Sequence, residues 1–471
     1  MDRIRSVFCR SHALSRALLG WVLLLACLQA AEAQTTHSLS GYVRKDMDGN
    51  GNPFDPDPPL SGVVVRLYSD PNGNGNHLDD GVLLRVTATD SSGYYAFENL
   101  PNASYIIEQV ASPGAVSTFG TGGSLADSLA AVTLAGSDLS DLDFLDFGTQ
   151  LFAVSGHVYA DGPANDAEFG PDDRPIGAVH VLLYADLDQN GLAGGDDVLI
   201  MDTATSIYGR YGFGGLVKGH YVVREIDPVG ATSVNDRQGP PDDNQIGVQI
   251  TLDDALGADF LDASVALAAI RGSVRDDLNN NGNPADPDPP LAGVMLLLFT
   301  DPNADGNPFD GYAITLLTSD LQGRYEFPNL PPGSYAIFQF APQGASSTWD
   351  AHGSLTDGIV GATLSGADVG GMDFLSNGAL TGTGSGIVYE DGPNQNGQFT
   401  QDDKGVAGVE VRLFADLDGS MDVSSEDIEL GGVLSTKGGA FALSRLVYGL
   451  YVARETMPAG AVAVNDMSGA P

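Results

Sequence analysis

The sequence predicts an all-β chain, a tandem array of four β-sandwich domains. Ser40-Gly41-Tyr42-Val43, Ser155-Gly156-His157-Val158, Arg271-Gly272-Ser273-Val274 and Ser385-Gly386-Ile387-Val388 open four similar units, their glycines 115, 116 and 114 residues apart. A fixed period of this kind marks repeated structural units. Apolar residues come in short β-branched and aromatic runs between Gly, Pro, Asn and Asp clusters, and no segment carries a helical period, which is the pattern of sandwich strands. Asp-Phe-Leu recurs at the end of three units, at Asp143-Phe144-Leu145, Asp259-Phe260-Leu261 and Asp373-Phe374-Leu375. The 471 residues suit three or four domains, and a 42% hydrophobic content suffices for packed cores.

Each unit runs through the same elements. An acidic loop follows the opening strand, then a β-rich run such as Gly62-Val63-Val64-Val65-Arg66-Leu67-Tyr68. A second acidic loop leads to another strand, a Gly turn and an aromatic strand such as Tyr94-Tyr95-Ala96-Phe97. A Tyr-led strand (Tyr105 to Val110 in the first unit) precedes the closing strand. The units are expected to span residues 38–150, 151–265, 266–379 and 380–471, after a leader at 1–33. Asp55-Pro56-Asp57-Pro58-Pro59-Leu60 returns 231 residues on as Asp286-Pro287-Asp288-Pro289-Pro290-Leu291, and Ala185-Asp186-Leu187-Asp188 returns 230 on as Ala415-Asp416-Leu417-Asp418. Units one and three are therefore one subtype and two and four another, as duplication of a two-domain block would leave them. Short linkers predict domains close together in a rod. The fourth unit lacks a counterpart of Gln249–Leu261; the expectation is a fragment of a longer product, with strand donation by a partner as the alternative.

Charge narrows the function classes. Asp and Glu number 62 against 21 Lys and Arg, a formal charge of −41. That excludes nucleic acid and anionic membrane surfaces as natural partners, because both are bound through basic side chains, and it favours divalent cations. Arg3, Arg5, Arg10 and Arg16, an apolar stretch from Ala17 to Leu28, and Ala31-Glu32-Ala33 have the layout of a secretory leader cleaved near Gln34. Leu24-Leu25-Ala26-Cys27 loosely resembles a lipobox, the rival reading. Both cysteines, Cys9 and Cys27, lie in the leader, so the exported chain is expected to have no disulfide. No second apolar segment is long enough for a membrane helix.

Two loops in each unit have the spacing of oxygen-rich cation sites. In unit one, Asp46, Asp48, Asn50, Asn52 and Asp57 stand at positions 1, 3, 5, 7 and 12, with Gly51 at 6. Unit three repeats this with Asp277, Asn279, Asn281, Asn283 and Asp288. The second loop of unit two carries Asp186, Asp188, Asn190 and Asp197. Looser versions are Asp70, Asn72, Asn74, Asn76, Asp79 and Asp80; Asp301, Asn303, Asp305 and Asp310; and Asp416, Asp418, Asp422 and Asp427. The first loops of units two and four are looser still, at Asp161, Asn165 and Asp172 and at Asp391, Asn394, Asn396 and Asp402. Alternate residues of a curled loop converge on one point, glycine at position 6 permits the turn, and a later acid closes the shell, which is what calcium requires. With no Cys and almost no His nearby, zinc and copper are not expected. The bland reading of any one loop is a solvated Asx turn; eight in register favour structural Ca²⁺.

The order Gly-x-Val, acidic loop, Gly-Val-x-Val-x-Leu, Asp-x-Asn/Asp loop, Gly-x-Tyr-x-Phe and Asp-Phe resembles the B-type domains of serine–aspartate-repeat surface proteins, relatives of collagen-adhesin B-type domains. Gly93-Tyr94-Tyr95-Ala96-Phe97, Gly209-Arg210-Tyr211-Gly212-Phe213 and Gly323-Arg324-Tyr325-Glu326-Phe327 carry it. The resemblance implies Ig-like/prealbumin-like sandwiches acting as calcium-stiffened stalk modules. Some collagen-adhesin relatives form a Lys–Asn isopeptide bond beside an acid. Here Lys45 is replaced in the other units by Ala160, Asp276 and Glu390, and Gln109 and Gln339 stand where Glu225 and Glu455 keep the acid, so no isopeptide bond is expected.

The reading that follows is a secreted or cell-surface structural or adhesive stalk without catalysis, since no HExxH, GxSxG or P-loop is present. Its ligand class would be an extracellular protein or polysaccharide. The alternative is a carbohydrate- or matrix-protein-binding accessory region of a larger protein, with Trp349, Phe119 and Tyr312 as candidate contact aromatics.

Overall fold

The computed structural model describes residues 36–121, 128–237, 244–351, 357–393 and 397–464. The leader and its cleavage site lie outside them. The described residues are all β apart from one 3₁₀ turn at Pro308–Asp310. In the first module the strands Tyr94–Leu100, His37–Asp46, Phe144–Phe147 and Val116–Gly120 lie side by side in one sheet. Leu83–Ala88, Val64–Ser69, Ser104–Gln109 and Leu129–Thr133 form a second. The second and third modules repeat both sheets. The opening strand alternates inward Leu39, Gly41 and Val43 with half-buried neighbours, so one face of it meets the core. In the three modules whose closing strand is described, that strand runs parallel to the opening one, pairing Val43 with Phe144, Val158 with Phe260 and Val274 with Phe374.

Three repeated motifs meet at one place. A Cβ on Gly41, Gly156 or Gly272 would lie 2.1, 1.9 or 1.9 Å from the carbonyl oxygen of Leu142, Ala258 or Met372, a distance no side chain can occupy. The tyrosine hydroxyl of Gly-x-Tyr-x-Phe donates to that same carbonyl: Tyr95 to Leu142, Tyr211 to Ala258 and Tyr325 to Met372. The next residue, the Asp of Asp-Phe-Leu, accepts from the opening strand's backbone at Tyr42, His157 and Ser273. In the fourth module Phe441 takes the tyrosine's place against Gly386. A second clip was not apparent from sequence. Thr89, Thr205, Ser319 and Ser435 each donate to one backbone carbonyl (Leu60, Ile176, Leu291, Val406) and accept from one amide (Val63, Val179, Val294, Val409), pinning the loop before the β-rich run.

Consecutive modules touch through backbone and core. Ser61 accepts from Val217 and donates to Gly215, while Ser91 donates to Ile200. At the third and fourth modules the equivalents recur: Ala292 with Val447 and Arg445, and Leu321 with Leu430. The two-domain block seen in the sequence thus repeats its internal interface. Between modules two and three the contact differs. Gly177 donates to the Asn329 carbonyl at 2.8 Å, Ile207 sits among the buried residues of module three, and Tyr312 bonds Asp202 and packs on His180. The fourth module has a sheet of Ile428–Leu434, Glu410–Ala415 and Tyr451–Thr456 and a pair of Thr381–Ile387 with Ala440–Val447. Among the described residues it has no counterpart of the strands Gln245–Ile250 and Phe260–Ala263.

Gly272→Ala should destabilise the third module by more than about 3 kcal/mol, the scale of a core steric clash, whereas Tyr325→Phe should cost about 1–3 kcal/mol for the carbonyl it leaves unpaired; denaturant unfolding followed by Trp349 fluorescence measures both. Ile207→Asp should split unfolding of modules two and three into separate calorimetric transitions, where the unaltered chain unfolds them together.

Candidate cation loops

Six of the eight loops are anchored by a first aspartate that stands at a strand end and turns inward. Asp46, Asp70, Asp186, Asp277, Asp301 and Asp416 are all buried. Each accepts backbone amides from its own loop: Gly49 and Gly51 for Asp46, Asn74 and Gly75 for Asp70, Asn190 and Gly191 for Asp186. Asn281 and Gly282 serve Asp277, Asp305 and Gly306 serve Asp301, and Ser420 and Met421 serve Asp416. The position-6 glycines have φ between +62° and +81°, which is why glycine stands there. In the fourth module Met421 holds that place at φ +60°. Burial pushes the Asp46 carboxyl up, but the Thr118 hydroxyl and the Gly51 and Gly49 amides outweigh it and leave the group below its usual value. Asp277 behaves alike through Gly282 and Thr348.

Three loops bring three carboxylates together, with oxygens within 4.8 Å of one another: Asp186, Asp188 and Asp197; Asp301, Asp305 and Asp310; Asp416, Asp418 and Asp427. These oxygen-only sets fit a hard divalent cation. Asp418 is held at about 2 by the Ser420 side chain and amide. In the other loops asparagine amides bridge the acids. Asn50 and Asn52 donate to Asp55 at 2.8 and 2.6 Å, and Asn279, Asn281 and Asn283 to Asp286 at 3.0, 2.8 and 2.6 Å. The twelve-residue spacing predicts Asp57 and Asp288 at the closing position. Asp57 instead accepts the Met47 amide beside the loop's entrance, while Asp288 has a buried oxygen without a hydrogen-bond partner. Asn72 and Asn74 reach Asp79, next to the predicted Asp80, and Asn76 continues the ladder by donating its amide to Asn74.

In the first loop of module two, Asp161 accepts from Ala167 and Asp172 from Ala164, with Asn165 at φ +47° between them. Asp173, unforeseen, takes the amides of Gly162 and Gly170. Asp403 does the same for Gly392 and Thr400 beside Asp391 and Asp402. Asn394 and Asn396 lie outside the described residues. Asp422 accepts from Val423, and Asn303 donates to Asp310 at 2.5 Å. In the proline-bearing loops Asn52 and Asn283 each fold a turn over the following Pro, the Asp55 and Asp286 amides donating back to their carbonyls, which brings these two acids to the asparagine amides.

The aromatics flagged from sequence are half-buried, not free. Tyr312 is spent on Asp202 and His180, and Trp349 and Phe119 sit in strands paired to Leu375 and Leu145. Among the described residues no helix is long and apolar enough to cross a membrane.

The positions compared for an isopeptide bond converge with the closing strand inside the three modules where that strand is described. In module one Gln109 donates to buried Asp146 at 2.7 Å, with Lys45 in register beside Asp146. Burial raises the Asp146 carboxyl to about 6, against which the Gln109 bond works. A raised folded-state value means stability is full below the unfolded carboxylate range and falls as pH rises from about 4 through about 6. Asp146→Asn should therefore flatten that slope and stabilise module one at pH 8 by about 1–3 kcal/mol, as chemical unfolding in EDTA across pH 4–8 would measure.

Residues 37–138 match the model of the SdrD B-like domain. The chain is 27% identical to serine-aspartate repeat-containing protein F of Staphylococcus epidermidis, over 92% of this chain and 24% of that one. It is 26% identical to serine-aspartate repeat-containing protein D of Staphylococcus aureus strain Newman, over 90% of this chain and 30% of that one. It thus spans about a quarter to a third of the length of these relatives. Among solved structures, the Bacillus anthracis TIE protein aligns at 14% identity over 73% of this chain and 51% of its own, with a TM-score of 0.19. The minor pilin of Streptococcus agalactiae aligns at 17% over 49% and 96%, with a TM-score of 0.21. Overlaps this slight bear on neither fold nor function. In sequence, residues 37–138 are similar to the SdrD B-like domain, and the chain is similar along nine-tenths of its length to serine-aspartate repeat-containing proteins.

Proposed function

We propose that this chain is a non-catalytic, calcium-stiffened spacer segment of an exported surface protein, serving structure or adhesion. The observation that carries the reading is the coupling of consecutive modules by paired backbone and shared cores, with buried aspartates anchoring an acidic loop at strand ends in every module. Such coupling suits a part that holds other parts at a fixed distance. The similarity to serine-aspartate repeat-containing proteins and the secretory layout of residues 1–33 support an extracellular place. Calcium would be held by the loop carboxylates and asparagine oxygens, where it would supply the positive charge that gathers them; mutual repulsion among so many acids loosens such loops without it.

Thermal unfolding of the exported chain in calcium and then in excess EDTA tests this. Mass action stabilises a folded state by about 2.7 kcal/mol per site at a hundredfold excess over Kd. A large, reversible fall of Tm in EDTA is expected, with scattering showing a less extended particle. An unchanged melt would reduce the loops to acidic turns. Asp188→Asn and Asp418→Asn should each remove part of the calcium effect.

A further inference from the structure

The strongest unexplained feature lies inside the second module, away from both of its loops. Glu225, on the strand Gly219–Ile226, is 1% exposed, and Asp262, on the closing strand Phe260–Ala263, is fully buried. Their carboxyl groups lie against each other, yet no other donor among the described residues reaches any of the four oxygens. The exposed Asp227 brings a third carboxylate oxygen within 4.8 Å of these two. Asn244 positions it, donating from Nδ2 to Asp227 at 2.6 Å, and the Asn244 Oδ1 is itself buried without a partner.

The sister modules show what this place normally contains. In module one an amide meets a carboxylate, Gln109 to Asp146 at 2.7 Å; in module three an amide meets a hydroxyl, Gln339 to Ser376 at 3.0 Å. Both pairs need at most one charge. Module one also has a cationic residue, Lys45, in register with its acid, whereas module two has Ala160 in register with Asp262. Module two instead sets two buried carboxylates against each other and brings a third to their edge. Two adjacent carboxylates buried without donors cost several kcal/mol each as ions, and the further charge of Asp236 adds to the repulsion.

We propose that Glu225, Asp262 and Asp227 form an interior site for a divalent cation, distinct from the loop sites, that balances the charge of the buried pair. The donor set is all oxygen and carries three negative charges, which selects a hard ion of the calcium or manganese class over zinc or copper. Asp227, at the exposed edge, gives the ion its way in. The site does not depend on the loop reading, since the loops could be metal-free turns and this pair would still need its charge balanced.

The test compares the exported chain with its E225Q/D262S variant, which rebuilds the Gln–Ser pair of module three and so should fold without an ion. Calcium chloride and manganese chloride are titrated separately by calorimetry, with Asp188→Asn as a loop control. The expected result is one equivalent fewer bound to E225Q/D262S than to the parent for at least one of the two metals, and a melting temperature of the joined modules two and three less sensitive to EDTA. E225Q alone, which gives module two the amide–carboxylate pair of module one, should show the same loss. Equal stoichiometry in parent and variants for both metals overturns the proposal and leaves a proton shared by the two acids as the charge balance. Loss of an equivalent in Asp188→Asn but not in E225Q/D262S supports the loops and overturns the interior site.

Discussion

Each complete module depends on one close approach. The opening strand can lie against the chain entering the closing strand only because Gly41, Gly156 and Gly272 have no side chain, and the tyrosine hydroxyl satisfies the carbonyl that the approach would otherwise strand in the core. An unpaired buried carbonyl costs about 1–3 kcal/mol. Once that contact is made, the following aspartate ties to the opening strand and the Phe of Asp-Phe-Leu enters the core beside the tyrosine ring. The sandwich is in this sense closed from its two ends.

Closure leaves the loops as the places where strands exit with nothing to pair. The first aspartate of each takes over that task, accepting the amides of a tightly curled backbone. The same curl concentrates further acids, so local hydrogen bonding and cation binding draw on one geometry. The module junctions draw on another. Backbone pairing at Ser61 and at Ala292 joins neighbours much as strands join within a sheet, and apolar residues such as Val217, Ile207 and Val447 lie in the core of the module next door.

Much of this was legible in the sequence because the constraints are strict. Only glycine fits at Gly156, and only a residue like Tyr211 can both fill the core and reach the Ala258 carbonyl, so these letters recur at a fixed period. The strand order and the anchoring aspartates were legible for the same reason. Twelve-residue counting also placed Asp197 and Asp427 with their clusters, but in the proline-bearing loops the turns at Asn52 and Asn283 bring Asp55 and Asp286 to the asparagine amides two residues before Asp57 and Asp288. Nor did Glu225 and Asp262 declare themselves together, since they stand 37 residues apart and meet only across the sandwich. The Gln109–Asp146 and Gln339–Ser376 spacings, also 37, are the signal that could have paired them.

The parallel pairing of opening and closing strands has a mechanical consequence. Tension carried along the chain enters a complete module at one of these strands and leaves at the other. Because the two lie side by side in the same direction, pulling slides them past each other, and the bonds between Val158 and Phe260 or Val274 and Phe374 are loaded all at once. A hairpin at the same place would peel one bond at a time. The modules are thereby clamped in shear, so extension is resisted where the load passes through.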